Sequence, residues 1–369
     1  MPSTARHIVI CFQDFSPGGT ERIAIGLAVH WVDMGNRVSI LCGSTEGGLR
    51  GTVDPRIQVV ELDPAVRRST FARITLARAM GERIASLAAD VIFLPGNYHL
   101  VLNGQLRRAD PRPIIVSKIS NPPRPHWLPA FMGRWVVRRF SRAIDGLAAM
   151  NTGLARELRA MLPTIPVATL YDPVYIQHDT QFDHVTHHNG ALNILWAGRL
   201  ERQKDVFLAL QVIQALNTRQ PAQLTILGEG SQRARLMRAI STMGLSHIVN
   251  ATGHVPNIDP YLQRADALLV TSHYEGGPAV AVEALAHGVP VVSTDCSAFL
   301  HDIMTVQDAG EIIPSRASQD LADALLRVTA ADGSIERMKA LVAHLDPTSC
   351  AQAYLDWFAM MLENKAHAH

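Results

Sequence analysis

The sequence has few cysteines and none of the spacings that would give them a structural role. The four are far apart and form no Cys-x-x-Cys pair; they are Cys11, Cys42, Cys296 and Cys350. Neither a disulfide framework nor a zinc site is expected from this pattern, and we predict reduced thiols and no structural metal. With 47% hydrophobic and 18% charged residues, the chain is also unlike a disordered, collagen-like or coiled-coil protein.

Long apolar runs are also lacking. The longest, such as Ile8–Phe12, have the length of a strand, whereas a membrane-spanning helix needs roughly 20 apolar residues. Arg6 and His7 lead into this run without an Ala-x-Ala cleavage pattern, which argues against a secretory signal peptide. We therefore expect a cytoplasmic protein.

The net charge of +1 conceals an asymmetry between the two halves. Residues 1–180 contain 21 Lys and Arg against 14 Asp and Glu, and residues 181–369 contain 13 against 19. A basic first half suggests an anionic partner, either a membrane surface or nucleic acid.

Short β-branched runs alternate with longer amphipathic stretches, which is typical of βα units that wind a parallel sheet. The predicted strands are His7–Phe12, Val38–Cys42, Val91–Pro95, Ile114–Lys118 and Leu147–Met150, then Leu192–Trp196, Leu224–Leu227, Ile248–Thr252, Ala267–Thr271 and Pro290–Ser293. Two Rossmann-like, doubly wound α/β domains are predicted, over 1–175 and 190–348, with 176–189 as a polar linker. A final amphipathic segment, 349–365, is expected to dock on either domain and is grouped with the first.

Two stretches of the first half combine cations with apolar residues. Residues 65–88 contain five arginines, and 107–142 contain nine Lys and Arg against one acid, with Trp127, Phe131, Trp135 and Phe140 interleaved. Such stretches predict a helix that lies on anionic lipid. The alternative is an ordinary helix whose aromatic residues pack in the core. A nucleic-acid partner is a third possibility, but no nucleic-acid-binding motif supports it.

Three loops carry candidate chemistry. Gly18 and Gly19 lie between a strand and a helix, where a backbone can approach a phosphate or sugar, although such a pair is as often a plain turn. Arg199 and Lys204 follow the first strand of the second domain, at the edge where open α/β sheets bind ligands, and their charges suit a diphosphate. The alternative is a solvated loop with two cations.

The third loop, 272–283, contains a Gly-Gly-Pro turn that should start a helix with Pro278 near its first position. Glu275 precedes this helix and Glu283 lies within it among apolar residues. A carboxylate in such surroundings needs partners, which sugar hydroxyls can supply. The alternative for Glu283 is a structural acid paired with an arginine.

Together these motifs resemble the retaining nucleotide-sugar glycosyltransferases of family 4. The resemblance rests on E-x7-E at Glu275 and Glu283, G-R-L-x-x-Q-K at 198–204, L-G-E-G at 227–230 and P-G-G-T-E-R at 17–22, in the family's order. It implies a GT-B fold, in which two Rossmann-like domains face each other across a cleft, with the donor bound mainly by the second domain and the acceptor by the first. It also implies that no metal or other cofactor is needed beside the UDP- or GDP-sugar donor.

The resemblance assigns roles to individual residues. Arg199 and Lys204 would neutralise the donor diphosphate, Glu275 would contact the transferred sugar, and Glu283 would contact the ribose. The remaining donor-binding residues that it implies are Gly18, Gly19, Gly228, Glu229, His254, Val255, Gly276, Gly277, Pro278 and Ala279. Transfer would occur on the front face of the sugar, with retention of configuration.

One departure concerns the histidine that many relatives have after the strand that corresponds to Ile114–Lys118. Here the chain reads Lys118-Ile119-Ser120-Asn121, and His126 follows on a proline-rich loop. We predict that Asn121 takes part in catalysis and that Lys118, Ser120, Asn121 and His126 contact the acceptor.

The resulting hypothesis is a metal-independent hexosyltransferase, peripherally associated with the inner face of the cell membrane. It would transfer a sugar to a lipid-linked or glycolipid acceptor in surface polysaccharide or lipopolysaccharide assembly, with no nucleic-acid partner. The alternatives are an epimerase or phosphorylase on the same fold, and a catalytically silent nucleotide-binding relative.

Overall fold

The structure is a computed structural model that describes residues 6–69, 72–120, 138–139, 141, 143–175, 190–331 and 333–367. The chain divides into two compact units, which we call the first and the second domain. The first consists of Met1–Pro173 and Pro347–His369, and the second of Val174–Asp346. The predicted linker, 176–189, lies outside the described residues.

Seven strands form the described sheet of the first domain, and all of their pairings are parallel. They are β1 (His7–Phe12), β2 (Arg37–Cys42), β3 (Gln58–Glu61), β4 (Val91–Leu94), β5 (Ile114–Ile119), β6 (Gly146–Ala149) and β7 (Val167–Thr169), in the spatial order β3-β2-β1-β4-β5-β6-β7. Alternate residues of β1 pack in different cores on the two faces of the sheet. Ile8, Ile10 and Phe12 belong to one core, and Val9 and Cys11 belong to the other. Because both faces are covered, the strand is apolar throughout.

Helices cover both faces of this sheet. They are α1 (Gly19–Asp33), α2 (Ala72–Ile84), α3 (Asn103–Ala109), α4 (Thr152–Met161) and, from the end of the chain, a helix at Pro347–His367, which is α12 in chain order. The last helix packs on the first domain through an aromatic cluster in which Trp31 and Phe93 meet Tyr354 and Phe358. The Trp31 indole also donates to the Ala351 carbonyl at 3.1 Å.

The described sheet of the second domain has six parallel strands. They are β8 (Leu192–Ala197), β9 (Ala222–Leu227), β10 (Val249–Gly253), β11 (Ala267–Val270), β12 (Val291–Thr294) and β13 (Gly310–Ile313), in the order β10-β9-β8-β11-β12-β13. The helices are α5 (Val206–Leu216), α6 (Arg233–Thr242), α7 (Asp259–Leu262), α8 (Ala279–Ala286), α9 (Ala298–Ile303), α10 (Ser318–Ala330) and α11 (Ile335–Val342).

The structure confirms the predicted class of two doubly wound parallel-sheet domains, and all ten predicted strands are present. Three strands were missed: β3, β7 and β13. Pro278 is the residue before α8 rather than its first residue, and α5 begins at Val206, after a short 3-10 turn at Arg202–Lys204. All four cysteines are free and buried.

Both sheets reverse their winding direction beside their first strand. In the first domain the reversal lies between β1 and β4, and in the second between β8 and β11. Loops after two such strands diverge, and the crevice between them is where open α/β sheets bind ligands. No helix among the described residues is both long and apolar enough to cross a bilayer.

Candidate functional site

An open pocket of about 480 Å³ lies at the carboxyl end of the second sheet. The ends of β8, β9 and β10 and one side of α8 form its wall. The lining residues are Ala197, Gly198, Arg199, Leu227, Gly228, Glu229, His254, Val255, Pro256, Ile258 and Glu283. Six residues predicted to bind the donor therefore lie around one pocket: Arg199, Gly228, Glu229, His254, Val255 and Glu283.

Gly228 allows two loops of this pocket to touch. Its φ is +136°, and a Cβ atom there would lie 1.9 Å from the Gly198 carbonyl oxygen. Only glycine adopts this conformation without strain, and only glycine fits the space. Its N–H donates to the Gly253 carbonyl at 2.7 Å, so β8, β9 and β10 all meet at this turn.

Lys204 and Glu275 bridge the two loops that flank the reversal point of the second sheet. The Lys204 Nζ atom lies 2.5 Å from Glu275 Oε1, and the two side chains are only 17% and 9% exposed. The Ser272 hydroxyl donates to the same Oε1 atom at 2.7 Å. The structure thus brings these two predicted site residues into direct contact.

The sequence analysis missed a network that holds these loops in place. The Arg316 guanidinium lies 2.6 Å from Asp205 Oδ2 and donates to the carbonyls of Thr271 and Ser272 at 2.9 Å each. Asp205, which follows Lys204, has a positive φ of 46° and accepts from the N–H of Leu208 at the start of α5. Arg316 therefore ties the Lys204 loop to the Glu275 loop. The sequence did not predict this role, because neither the positive φ of Asp205 nor a contact with the distant Arg316 has a local sequence signal.

Glu283 reaches the pocket from α8. Burial raises the pKa of its carboxyl group, and the nearby charge of Asp259 raises it further. The ring of His287 lies behind it, with Nδ1 2.8 Å from the Glu283 carbonyl oxygen and Nε2 3.3 Å from Asp259 Oδ1. No arginine partner of Glu283 is found among the described residues, so the pairing considered from the sequence is not seen there.

The loop before α8 carries the other predicted donor residues, Gly276, Gly277, Pro278 and Ala279. Ser297 donates to the Gly276 carbonyl at 3.1 Å, which fixes the turn. The side chain of Pro278 makes no hydrogen bond at the helix start. This loop follows β11 and thus lies at the same sheet edge as Lys204. Its role in donor binding stays a prediction.

At the reversal point of the first sheet, Gly18 is the N-cap of α1 and Gly19 its first residue, so the pair lies at the predicted junction of strand and helix. Nearby, Asp14 is 5% exposed, and its carboxylate accepts from Arg68 at 2.9 and 3.0 Å. Burial raises the pKa of Glu21, in the first turn of α1, 3.9 Å from Arg68. Sequence analysis singled out neither this cluster nor its pairing.

A buried histidine lies beside this cluster. His99 is 2% exposed, and neither of its ring nitrogens has a hydrogen-bond partner among the described residues. Burial lowers its pKa to about 3, and the Arg68 charge acts in the same direction. The imidazole is therefore neutral at physiological pH.

Among the predicted acceptor residues, Lys118 is 2% exposed and forms an ion pair with Asp172. Ser120 is half-buried, and its N–H donates to the Asn97 side chain at 2.9 Å. Asn121 and His126 lie outside the described residues. The acceptor roles of all four stay predictions.

Some positive charges of the two basic stretches are paired with carboxylates of the protein. In the second, Arg107 and Arg112 pair with Asp145 and Asp110, while Trp127, Phe131, Trp135 and Phe140 lie outside the described residues. In the first, α2 exposes Arg73, Arg78 and Arg83, and the side chain of Ile74 is 72% exposed. Among the described residues, no three His, Cys, Asp or Glu side chains converge as metal ligands.

Both domains of the chain match families of known proteins. The family model for Glycosyl transferases group 1 matches residues 178–341, and the model for the Glycosyl transferase 4-like domain matches residues 18–171. The chain belongs to the glycosyltransferases. A curated relative of this glycosyltransferase is the amylovoran biosynthesis glycosyltransferase AmsD of Erwinia amylovora, 24% identical over 50% of this chain and 55% of the relative. The chain spans about half the length, or less, of the first curated relatives that it matches.

Solved structures share the fold of this glycosyltransferase over nearly its whole length. The apo form of the lipopolysaccharide outer core galactosyltransferase WaaB has a TM-score of 0.77 at 17% identity, over 95% of this chain and 98% of that one. Anabaena HepE, solved in complex with UDP and glucose, has a TM-score of 0.72 at 17% identity, over 96% and 99%. These likenesses establish a GT-B type fold, and with it the two Rossmann-like domains.

Proposed function

We propose that this glycosyltransferase transfers a hexose from a UDP- or GDP-sugar to a hydroxyl of a lipid-linked or glycolipid acceptor, with retention of configuration and without a metal ion. The observation that carries this proposal is the group of Arg199, Lys204, Glu275 and Glu283 at the carboxyl end of the second sheet. Arg199 and Glu283 line the pocket, and Lys204 lies beside its Gly198 wall in contact with Glu275. Two cations and two carboxylates in this arrangement fit a donor made of a nucleoside, a diphosphate and a sugar.

Each of these side chains has a distinct task. Arg199 presents a guanidinium that can bind two phosphate oxygens, and Lys204 adds a compact charge beside it. As the glycosidic bond breaks, negative charge grows on the leaving diphosphate, and fixed cations stabilise that charge most in the transition state. Glu283 accepts from ribose hydroxyls, and Glu275 accepts from hydroxyls of the transferred sugar.

We assign the acceptor to the first domain, and its presentation to an anionic membrane surface. This assignment is supported by the exposed cations of α2, Arg73, Arg78 and Arg83, and by the exposed apolar side chain of Ile74. The names of AmsD and WaaB connect those proteins with amylovoran biosynthesis and with the lipopolysaccharide outer core, and we extend a role of this kind to the present chain.

The decisive experiment is calorimetric titration of the purified protein with UDP, GDP, ADP and TDP, each with and without EDTA. One nucleotide should bind, and EDTA should not change its affinity. The corresponding nucleotide-sugars, supplied with a glycolipid extract, should then yield a product whose anomeric configuration NMR can read. Absence of binding by all four nucleotides would refute the proposal, and turnover without acceptor would favour an epimerase.

A further inference from the structure

The Lys204–Glu275 pair lies beside the pocket to which we assign the donor diphosphate. The Lys204 side chain runs past Gly198, so that a Cβ atom on that glycine would lie 3.4 and 3.5 Å from Lys204 Cδ and Cε. Gly198 and Arg199 both line the pocket. The ammonium at the end of this side chain is therefore next to the pocket, yet it already holds an anion of the protein.

The paired arrangement is held firmly. Glu275 Oε1 accepts from both Lys204 and Ser272, and the Glu275 N–H donates to the Cys296 carbonyl at 2.8 Å. With only 9% of its side chain exposed, the carboxylate is poorly hydrated. An incoming phosphate would either displace the Glu275 carboxylate or lie beside it. A phosphate and a carboxylate side by side repel each other strongly where water is scarce.

We propose that Glu275 is an internal counter-ion of Lys204, which lets the site distinguish a nucleotide-sugar from the bare nucleoside diphosphate. This inference rests on the proposed function of the site. A bare diphosphate has to take Lys204 from Glu275 and leaves that carboxylate with the Ser272 hydroxyl but without its cation. A complete donor brings sugar hydroxyls that donate to Glu275, so the displaced carboxylate regains hydrogen bonds.

The consequence concerns the end of the catalytic cycle. Once the sugar has left, Glu275 loses its hydroxyl partners and competes again for Lys204, which weakens the hold on the product nucleotide. The same carboxylate thereby favours binding of the donor and release of the product. An uncharged residue at this position would retain the product more strongly.

The test compares wild type with Glu275→Gln, which keeps the shape and the oxygen that accepts from Ser272 but removes the charge. By calorimetry, Glu275→Gln should bind the cognate nucleoside diphosphate about threefold to tenfold more tightly than wild type, the range expected when a partly buried ion pair no longer competes. Its affinity for the nucleotide-sugar should not rise in parallel. Glu311→Gln, which removes a carboxylate paired with Arg327 outside the pocket, should change neither affinity.

Unchanged or weaker binding of the diphosphate by folded Glu275→Gln would overturn the inference. Should circular dichroism show that this variant is unfolded, Ser272→Ala, which removes one of the two bonds to Oε1, takes its place. Because the displaced carboxylate then lacks the hydroxyl that donates to it, that variant should bind the diphosphate about twofold more weakly, and equal or tighter binding would overturn the inference. If wild type binds neither the diphosphate nor the nucleotide-sugar, the proposed function fails as well, so the two failures are distinguishable.

Discussion

In the first domain, the loops at the reversal point hold Asp14, paired with Arg68, and the buried ring of His99. In the second domain, the corresponding loops hold the Lys204–Glu275 pair beside Gly198, which lines an open pocket, and Arg316 ties these loops together. Both sheets have the same reversal beside their first strand.

The difference shows that sheet topology determines where functional loops converge but not what they do there. In the second domain the ammonium of Lys204 pairs with a carboxylate that, as we propose, the donor displaces. In the first domain the buried acid is matched by a cation of its own chain, and the buried histidine is neutral. The following predictions test this contrast.

The largest effect is expected from a methyl group at one glycine of the second domain. Gly228→Ala places an alanine where the fold requires a positive φ and brings its Cβ atom into a clash with the Gly198 carbonyl. We therefore expect the free energy of unfolding to fall by more than about 3 kcal/mol. Gly19→Ala, at the first turn of α1, meets no atom within 4 Å and should stabilise by about 0.5 kcal/mol. Thermal and urea denaturation measure both, and equal effects would show that Gly228 is not required.

The next effect separates the two ion pairs by function. Lys204→Ala should lower kcat/KM for the donor about 100-fold, because the leaving diphosphate loses a fixed cation. Arg68→Ala should lower thermal stability, since it leaves the Asp14 carboxylate buried without its partner, but nucleotide affinity should stay as in wild type. Steady-state kinetics and calorimetry on both variants decide the matter. Equal loss of nucleotide affinity in both variants would contradict the contrast.

The buried histidine gives the first domain a pH dependence. The pKa of His99 is about 3 in the folded protein and near 6.5 when unfolded, so only the unfolded chain binds this proton between those values. Stability is therefore fully present above pH 6.5 and falls as the pH drops, by up to about 1.4 kcal/mol per pH unit. In His99→Leu, the free energy of unfolding measured by urea denaturation should depend less on pH between pH 7 and 5 than in wild type. The exposed His247→Leu serves as the control, and an identical slope in both variants would refute this assignment.

The smallest effect concerns the carboxylate of α8. Because burial raises the pKa of Glu283, its charged form costs stability at neutral pH, and this cost is relieved as the pH falls through the raised pKa. Glu283→Gln should therefore raise the free energy of unfolding by about 1 kcal/mol at pH 7 while it weakens nucleotide binding about tenfold through the lost charged acceptor. Calorimetry and thermal melts would reveal both, and a destabilised variant would count against the assignment.

Sequence patterns predicted the fold well because buried parallel strands are apolar throughout. The three strands that escaped, β3, β7 and β13, are short and lie at or near sheet edges, and most of their residues are at least partly exposed. Their mixed composition offers no periodic signal. Pro278 was misplaced by one residue because a proline fits both the position before a helix and its first turn.

The candidate site was predictable only where its chemistry lies in local motifs. Glycine turns and the two glutamates of E-x7-E are visible in the sequence, and so are Arg199 and Lys204. Contacts between distant loops are not: Arg316 and Asp205 are 111 positions apart, and Arg68 and Asp14 are 54 apart. Only the folded sheet shows which charges meet.

The packing of α12 on the first domain has a consequence for how the protein is made. Tyr354 and Phe358 complete a core that also contains residues of α1 and of strands β1, β2, β4, β5 and β6. The ribosome reaches the two aromatic residues only after the whole second domain has been translated. At about 5–20 residues per second, the unfinished core waits for roughly 10–40 seconds while the later-encoded domain, continuous in sequence, is synthesised. The first domain is thus the first whose synthesis starts and the last whose core is completed. A chain truncated before Pro347 would lack the last helix of the first domain, although the truncation removes residues from the other end of the chain.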